Sequence, residues 1–379
     1  MDVFDHCIIG SGPVGIIVAN KLSEKGLKVV VVEKGNNNVS EKLYNSEIAI
    51  KPKNLDVHNN ILMLGGASNF WEGRAGLMMP VDFKKRSWVK NSGWPIEFEE
   101  LNNFYEETHE ILKIPSSYEY EEKLSENYLK EILDKNIFQS LTSGAFFIRG
   151  MRYMKKKYKN FRYLINDKFK LLLEHEAVSF DIENEKIISL KIINNNDEKK
   201  IYSKNYIIAC GGIENSRILM QSKSIKHNDY LGKYFQDHPN GIAGIIELNH
   251  SFINKFKCLD RKYSIKNLVE FNINPTEKFQ TENKILNICF EFRLSRINLQ
   301  DKHILEKFNI DTKDKILKNL TSPFNLLKSL SFYYFIKIFI IFFKVFCFKI
   351  LNIKKYLILY AKLEQDPKSS NQIKLRNDR

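Results

Sequence analysis

Gly10-Ser11-Gly12-Pro13-Val14-Gly15 places three glycines at the spacing that lets a main chain wrap a pyrophosphate. Gly10 permits the tight turn, Gly12 lets the backbone approach phosphate oxygens, and Gly15 allows a helix to pack closely on a strand. Exposed N–H groups at the start of that helix, with its dipole behind them, hold negative charge. Glu33 follows 18 residues after Gly15. A carboxylate there accepts hydrogen bonds from ribose hydroxyls and disfavours a 2′-phosphate, so NADP does not suit the site. These residues alone leave FAD and NAD equally open.

Histidines and cysteines are the remaining side chains with chemistry to offer. Cysteines 7, 210, 258, 289 and 347 form no CxxC pair and no metal-ligand spacing. Buried thiols in a reducing, cytoplasmic compartment fit that scatter, and no metal site is expected. Among the histidines, His238 in Asp237-His238-Pro239 is the only candidate base with any motif around it.

The elements that must position the glycines are legible around them. Val3 to Ile9 is a short apolar run ending in glycine, read as a buried strand. Pro13 to Lys25 carries helically spaced apolar residues and stops at Gly26. Leu27 to Val32 is a second buried strand, so the first 33 residues form a βαβ unit. Residues 61–95 are dense in glycine and tryptophan without periodicity and read as an ordered loop. Helices are expected over Glu97 to Ile111, Leu124 to Phe138 and Glu214 to Gln221, and strands over Lys170 to Phe180, Ile187 to Ile193 and Tyr206 to Cys210. Asn194 to Asp197 reads as a turn between strands, while 240–300 alternates as a separate sheet would.

With 43% hydrophobic residues in 379, the chain has enough apolar material for a packed core. Its net charge is +14, and residues 311–379 contribute 14 Lys and Arg against 5 Asp and Glu. The basic C-terminal part is strongly apolar as well, which points toward anionic lipid rather than nucleic acid. Met1 to Asp5 has acids and no basic flank, so no secretory leader is expected.

Several further runs carry a resemblance: Leu64-Gly65-Gly66-Ala67-Ser68-Asn69-Phe70-Trp71-Glu72-Gly73-Arg74, Met79 to Phe83, Ser92 to Ile96, Ile207 to Arg217, and Leu231 to Pro239. Together they resemble the glucose-methanol-choline oxidoreductases, in particular the bacterial sugar and polyol dehydrogenase branch. The resemblance implies an α/β fold, with a Rossmann-like FAD-binding domain (residues 1–79 and 160–240) interleaved with an α+β substrate domain (80–159 and 241–365). It implies that Gly65, Gly66 and Ser68 wrap the pyrophosphate and ribityl chain, and that Asn69, Trp71, Gly73 and Arg74 pass beside the flavin ring. Val178 would meet the adenine through its backbone, and Gly211, Gly212 and Glu214 would return to the cofactor at a helix start. Phe70 stands where some relatives carry a flavin-linking histidine, which implies non-covalent FAD. Glu72 replaces a glycine common in this run. Trp71, Trp88 and Trp94 also suit packing beneath the cofactor loop.

The implied activity is hydride transfer from an alcohol carbon of a sugar or polyol to flavin N5, with a histidine taking the hydroxyl proton. Glu364-Gln365-Asp366-Pro367 and Asn371 to Leu375 resemble the stretch that opens the family's C-terminal portion, where its catalytic histidine pair lies. No histidine follows His303. The chain is therefore expected to lack that pair, with 366–379 as the start of the missing segment. A non-catalytic FAD-binding half of a split or truncated enzyme, its C-terminal half or an electron-transfer protein as partner, is the alternative. Finally, Phe324 to Leu363 reads as helix with lysines recurring too often for the about 18 uninterrupted apolar residues of a membrane span. Lys337 and Lys344 are a heptad apart, so either a packed helix or an interfacial one is expected, and a membrane-surface binding protein is a third reading.

Overall fold

The computed structural model describes residues 3–37, 61–114, 142–222, 228–248, 269–295 and 356–375, with isolated positions between them. Strand β1 (Val3–Ile9) leads through helix α1 (Pro13–Glu24) to β2 (Val29–Val32). All four β2 valines are buried, as in a strand covered on both faces. Gly26 ends α1 at φ +79°.

Next come β3 (Arg74–Ala75), a short helix α2 (Pro80–Phe83), α3 (Phe98–Leu112) and β4 (Phe146–Tyr153). Strands β5 (Lys170–Leu172), β6 (Glu176–Glu183), β7 (Lys186–Asn194) and β8 (Asp197–Ile208) follow, then helix α4 (Gly211–Gln221). The chain continues through β9 (Asn240–Glu247), β10 (Val269–Pro275), α5 (Glu277–Asn283), β11 (Ile288–Ser295) and β12 (Tyr356–Leu363).

Two six-stranded sheets result. The first runs β5-β2-β1-β8-β7-β6; its β5, β2, β1 and β8 are parallel, and β6–β8 are an antiparallel meander. Asn184-Glu185 and Asn195-Asn196, all at positive φ, make the two tight turns of that meander. Phe4, Cys7, Ile9, Val30 and Val32 pack toward β6–β8 and Ile218 of α4, while Ile8, Val29 and Val31 pack toward Ala19 of α1 and Phe169. The fold is thus α/β, with a Rossmann-like parallel sheet between helix layers.

The second sheet, β3-β4-β10-β11-β12-β9, is antiparallel throughout. The chain enters it between β2 and β5, leaves, and returns after α4, so the two sheets are interleaved in sequence. Residues opposite one another share a face. Ile148, Phe271, Ile273, Phe292, Leu357 and Ala361 are buried on one face. Arg149, Tyr153, Glu270, Asn272, Asn274 and Glu291 fall on the other, which is polar yet largely buried.

Two expectations need correction. Lys170 to Phe180 is not one strand: residues 173–175 break it into β5 and β6, which pair with different neighbours. The helix expected through Leu363 does not reach there, since 356–363 is β12, paired on both edges and burying Leu357 and Ala361. Nearly all of residues 324–355, and of the helix expected at 124–138, lie outside the described residues.

Candidate dinucleotide site

The carboxyl end of β1 delivers Gly10 at φ +98°, and the chain turns at once into α1. Gly12 is the N-cap of α1 and offers no side-chain cap; Pro13 occupies the first turn. The first intrahelical bond runs from Ile16 N–H to Gly12 O at 3.0 Å, so the amides of Val14 and Gly15 face outward from the helix start. A β-carbon on Gly15 would stand 2.0 Å from Gly10 O, which is why helix and strand meet only through glycine.

Glu33 leaves the end of β2 beneath this turn. Its Oε2 accepts from Ser11 N–H (2.9 Å) and Ser11 Oγ–H (2.7 Å), and its Oε1 accepts from Gly35 N–H (2.7 Å). Burial pushes its pKa up, against the opposing pull of those three donors. The carboxylate thus locks the glycine turn, and Oε1, with a single donor, keeps acceptor capacity for a further hydroxyl.

A second glycine turn closes on the first. Gly65 N–H donates to Ser11 O at 3.1 Å, and a β-carbon on Gly66 would lie 3.4 Å from Gly12 Cα. Ser68 Oγ–H donates to Gly65 O at 2.5 Å, and Asn69 Nδ2 donates to Leu64 O and Gly66 O, both at 2.9 Å. Arg162 Nη2 clamps the turn from outside through Leu64 O at 3.1 Å.

The third contribution comes from the end of β8. Gly211 opens α4 at φ +84°, with nothing within 4 Å of a β-carbon at Gly211 or Gly212. Asn215 Oδ1 accepts from Cys210 N–H at 3.0 Å and holds this turn from within. These segments enclose a cavity of about 250 Å³ lined by Gly10, Gly12, Pro13, Glu33, Gly66, Gly211 and Glu214, among others. Five separated stretches of chain meet there.

Other predicted residues lie elsewhere. Gly15, Gly65, Ser68 and Asn69 shape the turns without lining the cavity, and Gly212 stands just beyond it. Trp71 donates from Nε1 to Lys159 O at 2.8 Å and packs near Phe161, ring centroids 6.0 Å apart. Gly73 leaves room for the Lys159 side chain, 2.7 Å from where a β-carbon would be. Arg74 joins the polar face of the second sheet, bonded to Glu270 (2.9 Å) and to Glu291. Burial pulls its pKa down, but Glu270 and Glu291 outweigh that and raise it. Val178 sits at a β-bulge between Ala177 and Ser179, opposite no residue of β7, so its backbone groups are outside that ladder. His238 is exposed, its N–H donating to Asp237 Oδ1 at 2.7 Å, and is not a cavity residue.

Sequence reasoning missed the rim. Lys34, His175, Glu176, Ala177 and Arg217 line the cavity, beside Cys210 of the 207–212 segment expected there. Lys34 pairs with Glu176 at 3.0 Å, Arg217 pairs with Glu214 at 2.6 Å, and Arg217 Nη2 donates to Ala177 O at 2.9 Å. His175 Nδ1 lies 2.6 Å from Leu173 O and Nε2 lies 3.4 Å from Asn194 Nδ2, so the ring is engaged on both sides. Burial pushes the Cys210 thiol up to about 12. Position next to Glu33 was the one signal available for Lys34; the others arrive only through the pairing of β6 with α4.

No group of acidic, histidine or cysteine side chains that could hold a metal is found among the described residues. Nor is any helix among them long and apolar enough to cross a membrane.

A family model described as pyridine nucleotide-disulphide oxidoreductase matches residues 4–239. No curated protein matches the sequence. Among solved structures, pyridoxine 4-oxidase from Mesorbium loti is 16% identical, with 64% of this chain and 59% of that one covered at a TM-score of 0.43. A fungal aryl-alcohol oxidase is 15% identical (82% and 65% covered, TM-score 0.45). An FAD-dependent oxidoreductase from Chaetomium thermophilum is 14% identical (82% and 65%, TM-score 0.43). The chain thus spans 59–65% of the length of these three proteins.

Proposed function

Because the chain belongs to the pyridine nucleotide-disulphide oxidoreductase family by its match over residues 4–239, we propose that it is a flavin-dependent oxidoreductase of glucose-methanol-choline type, holding FAD non-covalently and acting on a CH–OH donor such as a sugar or polyol. The observation that carries the cofactor reading is the cavity where Gly12, Gly66, Gly211 and Glu33 converge from distant parts of the chain. Its residues fit the adenosine and pyrophosphate part of FAD. Glycines clear the approach, outward amides at the start of α1 receive phosphate oxygens, and Glu33 accepts from ribose hydroxyls. Val178 offers backbone groups for the adenine, and the rim pairs Lys34–Glu176 and Arg217–Glu214 leave neither cation free for a 2′-phosphate.

When bound, a flavin supplies hydride acceptance. What this chain supplies is binding and orientation. The five cysteines form no CxxC pair or other close pairing along the sequence, and Cys7, Cys210 and Cys289 are free. That favours an alcohol over a disulfide as substrate, as do the motifs from Leu64 to Pro239. Among the described histidines, only His175 lines the cavity, and its ring is already engaged.

Titration with FAD, followed by flavin fluorescence, tests this directly. FAD is expected to bind and to be released by acid precipitation, while NADP does not compete. Absence of FAD binding would remove the proposal. Dye reduction with sugars and polyols then separates two cases: turnover assigns the whole reaction to this chain, whereas FAD binding without turnover assigns it the cofactor-holding part. Contact with a membrane surface through residues 324–355 is a separate proposal, motivated by their apolar and basic composition. Exchanging Lys337 and Lys344 for glutamate is expected to reduce flotation with anionic liposomes; unchanged flotation would dispose of it.

A further inference from the structure

Phe161 is 1% exposed and adopts φ +59°, ψ +6°, the left-handed region. Of the non-glycine residues with positive φ among the described residues, it alone is buried. The others include the hairpin turns Asn184-Glu185 and Asn195-Asn196 and the helix ends Lys113 and Lys284, all exposed. A bulky side chain on such a backbone carries strain, and it persists only where its surroundings over-determine it.

Those surroundings are the backs of the two glycine turns. Phe161 packs in one cluster with Ile16 of α1, whose N–H makes the first intrahelical bond to Gly12 O. Its ring also lies 6.0 Å from that of Trp71, just past the Gly65–Asn69 turn. The residues around it grip the same turn. Lys159 O accepts from Trp71 Nε1 at 2.8 Å, and Asn160 O sits 2.9 Å from where a β-carbon on Gly65 would be. Arg162 Nη2 donates to Leu64 O at 3.1 Å. Four consecutive residues thus engage one loop, and none of them lines the cavity. The left-handed step is where the chain turns to do so: Phe161 N–H bonds back to Tyr158 O (3.1 Å), and Phe161 O accepts from Leu164 N–H (3.0 Å).

We propose that Phe161 is a positioning residue for the cofactor: acting through Ile16 and Trp71, its ring sets the spacing of the glycine turns at 10–15 and 65–69, and so the fit of the cavity between them to a pyrophosphate. The turns cannot set that spacing themselves. Gly12 and Gly66 have no side chains, and they approach so closely that a β-carbon on Gly66 would lie 3.4 Å from Gly12 Cα. Main-chain groups serve a ligand only where the elements behind them hold both sets in place at once. The inference rests on the flavoprotein reading for the identity of the ligand.

FAD titrations of the full chain, read by flavin fluorescence beside thermal melts, supply the test. Phe161→Leu keeps an apolar side chain on the same backbone but loses the ring, and is expected to weaken FAD binding at least about tenfold. Phe161→Tyr keeps the ring and is expected to retain the parent's affinity. Phe292→Leu, at a buried site of the second sheet, should lower the melting temperature while leaving FAD affinity unchanged. Should Phe161→Leu fail to fold, Trp71→Phe, which removes the bond to Lys159 O, carries the same expected loss. Parental affinity in Phe161→Leu or in Trp71→Phe would overturn the inference. So would equal losses in the Leu and Tyr variants, or a loss in Phe292→Leu as large as that in Phe161→Leu. A parent that takes no FAD removes the flavoprotein reading and this inference with it, whereas a parent that takes FAD beside an unimpaired Phe161→Leu removes this inference alone.

Discussion

Gly10 combines a left-handed backbone with a close approach. An alanine there would adopt φ +98° against its preference, and its β-carbon would stand 2.7 Å from Ala209 O. Backbone strain of this kind costs about 1–3 kcal/mol, before the collision with β8 is counted. Gly10→Ala is therefore expected to lower the melting temperature and to weaken FAD binding together, whereas Gly26→Ala, equally left-handed but with nothing within 4 Å, should lower stability alone. Parallel melting and FAD titrations check the contrast, and equal loss of FAD affinity in both variants would contradict it. Gly10, Gly12 and Glu33 were legible in the sequence because the constraint on each is local: a turn, an approach, the end of a strand. Arg217 and His175 were not, because each becomes a wall of the cavity only when α4 packs on β6.

Elements carry a different kind of constraint. The loop after α2 is fastened to the end of β12 by Arg86, 6% exposed, whose Nη1 donates to Glu364 Oε2 at 2.8 Å and whose Nη2 bonds Oε1. Glu364 Oε2 also accepts from Asn287 N–H at 2.9 Å, so one carboxylate joins three segments. Burial pushes the Glu364 carboxyl up, but Arg86 and Asn287 outweigh it and hold its pKa below the ordinary value. A depressed folded pKa contributes stability that is present above the unfolded value and is lost as pH falls through the folded one. Arg86→Met is expected to cost about 2 kcal/mol at neutral pH, discounted for the partial exposure of Glu364. In urea melts the gap from the parent should narrow in acid; a gap independent of pH would argue against it. In the first sheet β1, α1, β2 and the turn at Asn195-Asn196 were readable from apolar period and turn residues, whereas the break between β5 and β6 was not. Strand β12 was not, because Tyr356 to Leu363 follows a long apolar run whose composition suits helix and strand alike. Its identity comes from β11 and β9 pairing on either side.

The whole molecule is organised by pairings between distant parts of the chain. Strand β1 lies beside β8, Val3 opposite Tyr202, and β12 lies between β11 and β9. An interleaved plan of this kind was implied by the order of motifs, although no single segment reveals which strands are neighbours. Removing residues 356–379 should leave β9 without its partner strand and β11 with one bare edge, and such edges recruit other chains. That shortened chain is expected to sediment as aggregates, and a monodisperse product would refute the expectation. The same arrangement has a consequence in time. Between the synthesis of Glu247 and that of Tyr356 a ribosome works for roughly 5–20 s at typical elongation rates. Throughout that interval β9 has been made while its one pairing strand has not, so the nascent chain carries an unpaired strand for that long.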